Sequence, residues 1–322
     1  IKKLVAEIYA KKFIYNKANE FASDAFIIAK NLYIRSNTKQ HFEQFKYATK
    51  TRVSILQRMS DNEMAESVIS DCIALLNSHS DSLGESQIMD ILELKQELAS
   101  IYRNYKKEYD KALVIYAELR SHYIKHLKST ISYADFLYEY AFCYSEAGQH
   151  KEYEALLNDA LLEYCSIENQ TFLVKVKTAT THLLLALAIC IDENYEESFK
   201  SYEQSISIYN KIYRSEPLTV VGYLSMAHRY YGLALEGINS IQSLEHYITA
   251  INYYVEGHEN INEINEVISE LSSVVLKLPK DVSLNLIDSA CILTNKCKQL
   301  DNIDIESLER IEITLQQLQK AN

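Results

Sequence analysis

The sequence contains no tryptophan, only two prolines and only six glycines among its 322 residues. Hairpins and loop-rich folds need glycine and proline at their turns, so this shortage argues against an all-β architecture. Hydrophobic residues make up 48% of the chain, which is enough for a continuous core. The composition therefore predicts an all-α protein.

Several functional signatures are also missing. No GxxxxGK[ST] or GxGxxG motif occurs, so no cofactor is predicted. The net charge is −11 and the basic residues are scattered, which argues against nucleic acid or an anionic membrane as a partner of this segment. The chain has no secretory signal and no uninterrupted apolar run of about 18 residues. Six cysteines without paired spacing are typical of free thiols, which predicts a cytoplasmic protein.

No catalytic constellation is recognisable, and an enzyme is not predicted. Glu118, His122 and His126 follow each other at i, i+4 and i+8 on one helix. Metal sites draw ligands from more than one element, so these side chains are interpreted as a solvated face, and no metal is predicted. His182 and His228 share one helical position in successive units, where hydrogen-bonded core histidines are expected.

What the sequence does contain is a repeat of about 45 residues. Small or apolar residues recur in one register: Ala6, Val53, Ala99, Ala141, Ala186 and Gly232. A second series keeps step with the first: Ala25, Cys72, Leu119, Ala160, Ser205 and Ala250. Two series in step over this length predict an array of stacked units, each in contact with its neighbours.

Each unit is predicted to be a pair of helices, here called helix A and helix B. In the fourth unit, helix A is expected at 133–146 and helix B at 151–164, and Gly148 between them tolerates a positive φ. Tyrosines end the inward stripe of helix B in four consecutive units: Tyr123, Tyr164, Tyr209 and Tyr254. We expect buried rings, with hydroxyl groups satisfied by water or backbone at the unit boundary.

The pattern of small, aromatic and glycine residues resembles the tetratricopeptide repeat (TPR). The residues that carry the resemblance are Leu137, Tyr140, Ala141, Tyr144, Gly148, Tyr153, Leu157 and Ala160. The resemblance covers about residues 1–255 and implies a right-handed superhelical solenoid of about six to seven antiparallel helix pairs. The usual TPR period is 34 residues, and the longer units here resemble those of kinesin light chains and of the sensor arms of bacterial STAND NTPases.

We predict a repeat array over residues 1–258, with a truncated first unit, and a degenerate seventh helix pair plus a capping helix over 259–322. Pro279 should end one helix, Asp281 should cap the next, and Asp304 should cap the last. The apolar stripe of the last helix either closes the array or docks on a second copy, giving a homo-oligomer. Because helix A of the first unit starts late, a further segment is expected before Ile1.

The resemblance implies that a ligand binds in a concave groove lined by helix A, at positions that packing does not use. On that register the predicted contact residues are Tyr47, Lys50, Gln96, Arg103, Asp135, Tyr138, Phe142, Met226, Arg229 and Leu233. Tyr138 and Phe142 are the predicted anchors, and the alternative is that both rings pack inside the array. The Lys/Asn clamp of chaperone-binding TPR proteins is missing, since Gln96 and Ser100 stand at such positions.

The sequence thus predicts a non-catalytic protein-binding or peptide-binding solenoid. Its most concrete form is the sensor or scaffold arm of a larger multidomain protein. The alternative is a regulator resembling the Gram-positive pheromone receptors, which would carry a DNA-binding domain upstream of the repeats.

Overall fold

The computed structural model describes residues 1–78, 85–257 and 260–321, which form α-helices and one π-helical turn without any strand. The predicted all-α class is confirmed. Two compact units are present: an N-terminal unit (Ile1–Lys128 with Phe142–Gln149) and a C-terminal unit (Ser129–Ala141 with His150–Asn322). The boundary predicted between residues 258 and 259 lies outside the described residues, and that division of the chain stays a prediction.

Helices α1 to α6 belong to the N-terminal unit. They are α1 (Lys2–Lys11), α2 (Tyr15–Ser36), α3 (Lys39–Arg58), α4 (Asn62–Asn77), α5 (Glu85–Ser100), which continues into the π-helical turn Ile101–Lys106, and α6 (Tyr109–Leu127). Helix α7 (Ile131–Glu146) is divided between the units after Ala141.

The other helices lie in the C-terminal unit. They are α8 (His150–Ser166), α9 (Phe172–Ile191), α10 (Tyr195–Tyr213), α11 (Pro217–Leu235), α12 (Ser240–Glu256), α13 (Ile261–Val275), α14 (Leu284–Cys297) and α15 (Ile305–Ala321). The ranges predicted for the fourth unit agree with α7 and α8 to within two residues.

The repeated register marks where the two helices of a pair approach each other. All six residues of the first series are buried, and so are all members of the second series except Ala25. In the C-terminal unit, Ser198 Oγ donates to the Ala186 carbonyl at 2.7 Å, and Ser243 Oγ donates to the Gly232 carbonyl at 2.7 Å. A Cβ at Gly232 would lie 3.3 Å from the Ser243 carbonyl oxygen. The residues in this register are therefore small because the backbones of the two helices come close together there.

The turn between helix A and helix B repeats one backbone conformation. A residue in the left-handed region occupies this turn in five units: Phe13, Ser60, Lys107, Gly148 and Glu193. After Gly148, the Gln149 amide donates to the Tyr144 carbonyl at 2.9 Å, and Asp61 and Ile14 make the corresponding bonds to Leu56 and Tyr9. These are Schellman closures of helix A. The prediction for Gly148 is confirmed, and the same turn is built four times without glycine.

The last three helices pack around the end of the repeats: α13 and α14 contact α12, and α15 contacts α13 and α14. Helix α15 is capped by Asp304, which accepts from the Ser307 amide at 3.1 Å, as predicted. The cap of α14 is Ser283, which accepts from the Leu286 amide at 3.3 Å, so the prediction of Asp281 was wrong. The chain makes a turn after Pro279 before α14 begins, and this turn places Asp281 two residues before the cap Ser283.

The apolar stripe of α15 is buried against other helices of the C-terminal unit. Leu308, Ile311 and Leu315 are buried in one core with residues of α12, α13 and α14. This arrangement agrees with a capping helix, and it leaves the buried stripe unavailable to a second copy. Homo-oligomer formation through the remaining face of α15 stays a prediction.

Helix α9 is the one described helix that is long and apolar enough to cross a membrane by length and composition. More than half of the relevant segment is buried inside the protein, and α9 packs against α8 and α10. Core helices of globular proteins share this composition, which accounts for α9 here.

Two partly buried histidines face each other between α11 and α12. The Nδ1 atoms of His228 and His246 lie 2.8 Å apart, and the Tyr231 ring packs 4.2 Å from the His246 ring. One neutral ring donates to the other. Burial lowers the pKa of His228 to about 3, with a further contribution from His246, and lowers the pKa of His246 to about 4. His228 is thus a hydrogen-bonded core histidine, as predicted, whereas Nδ1 of His182 is buried without a partner among the described residues.

We predict opposite effects of exchanging glycine at two equivalent turns. Gly148→Ala should lower the free energy of unfolding by about 1 kcal/mol, because φ is +73° there and a Cβ would meet nothing within 4 Å. Glu193→Gly, at φ 59°, should raise it by a few tenths to about 1 kcal/mol. Urea unfolding of both variants measures the effects, and two changes of the same sign would contradict a shared left-handed turn.

The histidine pair predicts a pH dependence of stability. Both residues have folded pKa values below the value of about 6.5 expected in the unfolded chain. As the pH falls below about 6.5, the unfolded chain therefore binds protons that the folded chain does not, and stability falls down to about pH 4. Melting temperatures from pH 8 to 4 should decrease less in His228→Asn/His246→Asn than in the wild type. His122→Gln, at an exposed site, is the control and should follow the wild type.

Candidate partner-binding surface

In the N-terminal unit, ion pairs join the A helices of successive repeats. Lys46 binds Asp90 at 2.5 Å and Lys50 binds Glu93 at 2.9 Å, both between α3 and α5. Arg103, in the π-helical turn, is buried and has its Nε 3.7 Å from Glu146. The predicted contact residues Lys50 and Arg103 are therefore engaged within the unit.

The same kind of pair recurs in the C-terminal unit. Lys177 on α9 donates to Asp135 on α7 at 2.7 Å, and Arg229 on α11 binds Glu270 on α13 at 2.6 Å. In the four hydrogen-bonded pairs, two from each unit, the partners are 41 to 44 residues apart in sequence. Opposite charges at the repeat spacing therefore hold neighbouring A helices together.

Tyrosines of the B helices form hydrogen bonds with side chains of the A helices. The ring of Tyr164 is buried, and its hydroxyl donates to Asp135 at 2.5 Å. Tyr123 donates to Gln96 at 2.6 Å, and the hydroxyls of Tyr209 and Thr180 are 2.6 Å apart. The rings are buried as predicted, but side chains of helix A satisfy the hydroxyls, rather than the expected water or backbone.

The two predicted anchors belong to different units. Tyr138 lies in the C-terminal unit and is partly buried, and burial, together with Tyr153 and Glu139, raises the pKa of its hydroxyl well above the usual range. Phe142 lies in the N-terminal unit and is also partly buried. Neither ring is among the exposed large side chains, which agrees better with the alternative that both rings pack within the fold.

A different set of apolar side chains is exposed. Tyr223, Met226, Tyr230 and Leu233 follow each other at helical spacing on α11, and we call them the α11 stripe. Tyr223 is 40% exposed, Met226 39% and Leu233 46%, while Tyr230 is partly buried. Tyr230 and Leu187 of α9 both pack against one core cluster. Two of the predicted contact residues, Met226 and Leu233, thus lie on one accessible surface.

Arg229 lies between Met226 and Leu233 on α11 and is bound by two carboxylates of α13. Its guanidinium makes four hydrogen bonds, three to Glu270 and one to Glu266 at 2.9 Å. Burial opposes its charge, but the two glutamates outweigh it and hold the pKa above its usual value. The sequence analysis missed Glu266 and Glu270, although the spacing of 41 residues from Arg229 to Glu270 follows the repeat.

Tyr47, the remaining predicted contact residue, is exposed on α3 in the N-terminal unit. Its ring lies 5.0 Å from the Lys3 ammonium and 5.1 Å from the Lys46 ammonium. It lines a cleft of about 530 Å³ between α1, α2 and α3, and Lys50 lines a second cleft of about 330 Å³. Both clefts are open, and their rims carry lysines.

The described residues contain no group of three or more His, Cys, Asp or Glu side chains placed to hold a metal ion. Glu118 of the His122/His126 helix face binds Lys95 at 2.5 Å instead. All six cysteines are free thiols.

No protein-family model and no curated protein sequence matches this chain. Solved structures do match: the apo form of RapI has a TM-score of 0.61 at 15% identity, with 99% of this chain and 83% of that chain covered. A kinesin light chain from Podospora anserina with nearly identical TPR-like repeats has a TM-score of 0.51 at 18% identity, covering 66% and 96%. BtubC (BKLC) from P. vanneervenii has 0.51 at 11% identity, covering 82% and 91%.

The chain has the TPR-like helical-repeat fold. The identities of 11–18% show the fold and leave the partner to be inferred from the surface. The resemblance to TPR proteins seen in the residue pattern is thereby confirmed at the level of architecture.

Removing the guanidinium between α11 and α13 should destabilise the protein. Arg229→Gln leaves Glu266 and Glu270 facing each other without a cation, and we expect a loss of about 1–3 kcal/mol in the free energy of unfolding. Arg310→Gln is the matched control, because Arg310 is exposed and pairs with Glu306 one turn away. Its loss should stay below about 0.5 kcal/mol. Equal losses in urea unfolding would show that the α11–α13 bridge adds no more stability than the exposed pair on α15.

Proposed function

We propose that the chain is a non-catalytic scaffold that binds a peptide segment of a partner protein on the α11 stripe. The observation that carries this proposal is the exposure of Met226 and Leu233 beside Tyr223 on one helix face. Exposed apolar side chains in a row are costly in water and are typical of binding surfaces. Tyrosine and methionine are enriched at such surfaces, where rigid rings and adaptable thioethers supply contact area.

The surroundings of the stripe suit binding better than catalysis. The Arg229–Glu266–Glu270 bridge borders the stripe, and Tyr230 of the stripe packs against a core cluster that Leu187 of α9 also contacts. These bonds fix the A helices relative to each other before a partner arrives, which lowers the entropic cost of binding. The partly buried histidines between α11 and α12 bond to each other, and burial lowers the pKa of both, which disfavours proton uptake by either ring.

We further propose that this scaffold is the sensor arm of a larger protein in the cytoplasm. Free thiols at all six cysteines suit a reducing compartment. A peptide-responsive regulator would use the same stripe, and the two functions differ in the domain to which the repeats are joined.

The proposal is tested by selecting a displayed library of extended peptides on the purified protein. Affinities of the selected peptides are then measured by titration calorimetry. Met226→Ser/Leu233→Ser should weaken binding at least tenfold, because the apolar contact area is lost while the buried face of α11 is unchanged. Leu162→Ser, on an exposed face of α8, is the matched control and should bind like the wild type. Unchanged affinity in the double variant, with an unchanged melting temperature, would exclude the α11 stripe as the contact surface.

A further inference from the structure

The charges beside the α11 stripe do not balance. One guanidinium, that of Arg229, faces the two carboxylates of Glu266 and Glu270. Arg229 is 15% exposed, whereas Glu266 is 61% exposed at the solvent edge of the bridge. The bridge therefore presents a carboxylate outward and keeps its cation inside.

Arg229 is poorly placed for an acidic partner. Its Nε and Nη2 atoms make four hydrogen bonds to Glu266 and Glu270, and its side chain is only 15% exposed, so the two glutamates already neutralise its charge. The sequence places Arg229 among the predicted contact residues, whereas in the structure its guanidinium is bound by two carboxylates. The physical reason is that α13 places two acids, Glu266 and Glu270, next to Arg229, and the repeat register does not identify these neighbours.

A further acid lies on the same edge. Glu263 is one helical turn before Glu266 on α13, is partly exposed and has no cation within ion-pair distance among the described residues. The whole chain carries a net charge of −11, and Lys277, a cation just beyond α13, is paired with Glu236 at the end of α11 at 3.5 Å. An acidic segment approaching the α11 stripe would meet like charge, and a basic one would be attracted.

We propose that the partner segment presents a basic side chain beside an apolar one, the apolar side chain on Met226 and Leu233 and the basic side chain on Glu266. This inference rests on the proposed function and specifies the chemistry of its ligand. Arg229 on α11 reaches Glu266 on α13 at 2.9 Å, so this acid lies about one long side chain away from the stripe, and an extended chain rises about 3.3 Å per residue. The two side chains are therefore about three residues apart in an extended segment.

The test uses fluorescein-labelled peptides of identical length and apolar content that carry Lys, Gln or Glu at the position three residues from a leucine. Fluorescence anisotropy with the full chain measures affinity at 20 mM and 300 mM NaCl. We expect the Lys peptide to bind at least tenfold more tightly than the Glu peptide at low salt, with the Gln peptide between them. The difference should shrink at high salt, because an exposed carboxylate is screened.

The variant Glu266→Gln should reduce the preference for Lys over Glu at least fivefold while leaving the affinity for the Gln peptide within about twofold. Glu245→Gln, an exposed acid on α12, is the matched control and should keep the wild-type preference. The chemistry proposed here is overturned if the Glu peptide binds as tightly as the Lys peptide, or if Glu266→Gln leaves the preference intact. Binding that is still lost in Met226→Ser/Leu233→Ser would then leave the proposed function standing. If no peptide of the three binds, both proposals fail.

Discussion

The close approach of helix backbones at the repeated small residues is the constraint on which this structure depends. Ala186 and Gly232 are buried where α9 meets α10 and where α11 meets α12, and serines of the second helix donate to their carbonyl groups. A larger side chain would separate the helices and break these bonds. The tyrosines of helix B can therefore reach side chains of helix A, because the distance between the two helices is short and constant.

The same constraint organises the polar face. Since neighbouring A helices repeat at a fixed spacing, a cation on one can meet an anion 41–44 residues away on the next, as Lys50 meets Glu93 and Lys177 meets Asp135. The charged residues that were predicted to contact a ligand, Lys50, Arg103, Asp135 and Arg229, all form ion pairs within the protein. The surface that we propose for a partner, the α11 stripe, is apolar, and the partly exposed Glu266 lies beside it.

The register, the helix pairs, the glycine turn at 148 and the cap at Asp304 were predictable because each depends on a few residues close in sequence. The cap at Asp281 was wrong, because the path of the chain after Pro279 decides which residue precedes the helix. The exposure of Tyr138 and Phe142 could not be read from sequence either. A position that faces outward on one helix is covered or left open by the helices packed beside it, and both of these rings are partly buried.

The sequence by itself determined the repeat, its period and the all-α class, because these follow from the spacing of small and apolar residues along single helices. The tertiary structure alone decided which predicted contact residues are accessible. Met226 and Leu233 are exposed, whereas Arg229 is held by Glu266 and Glu270, which come from a helix about 40 residues further along the chain. Accessibility is a property of the neighbours that packing brings to a side chain, and the residues next to it in sequence do not specify them.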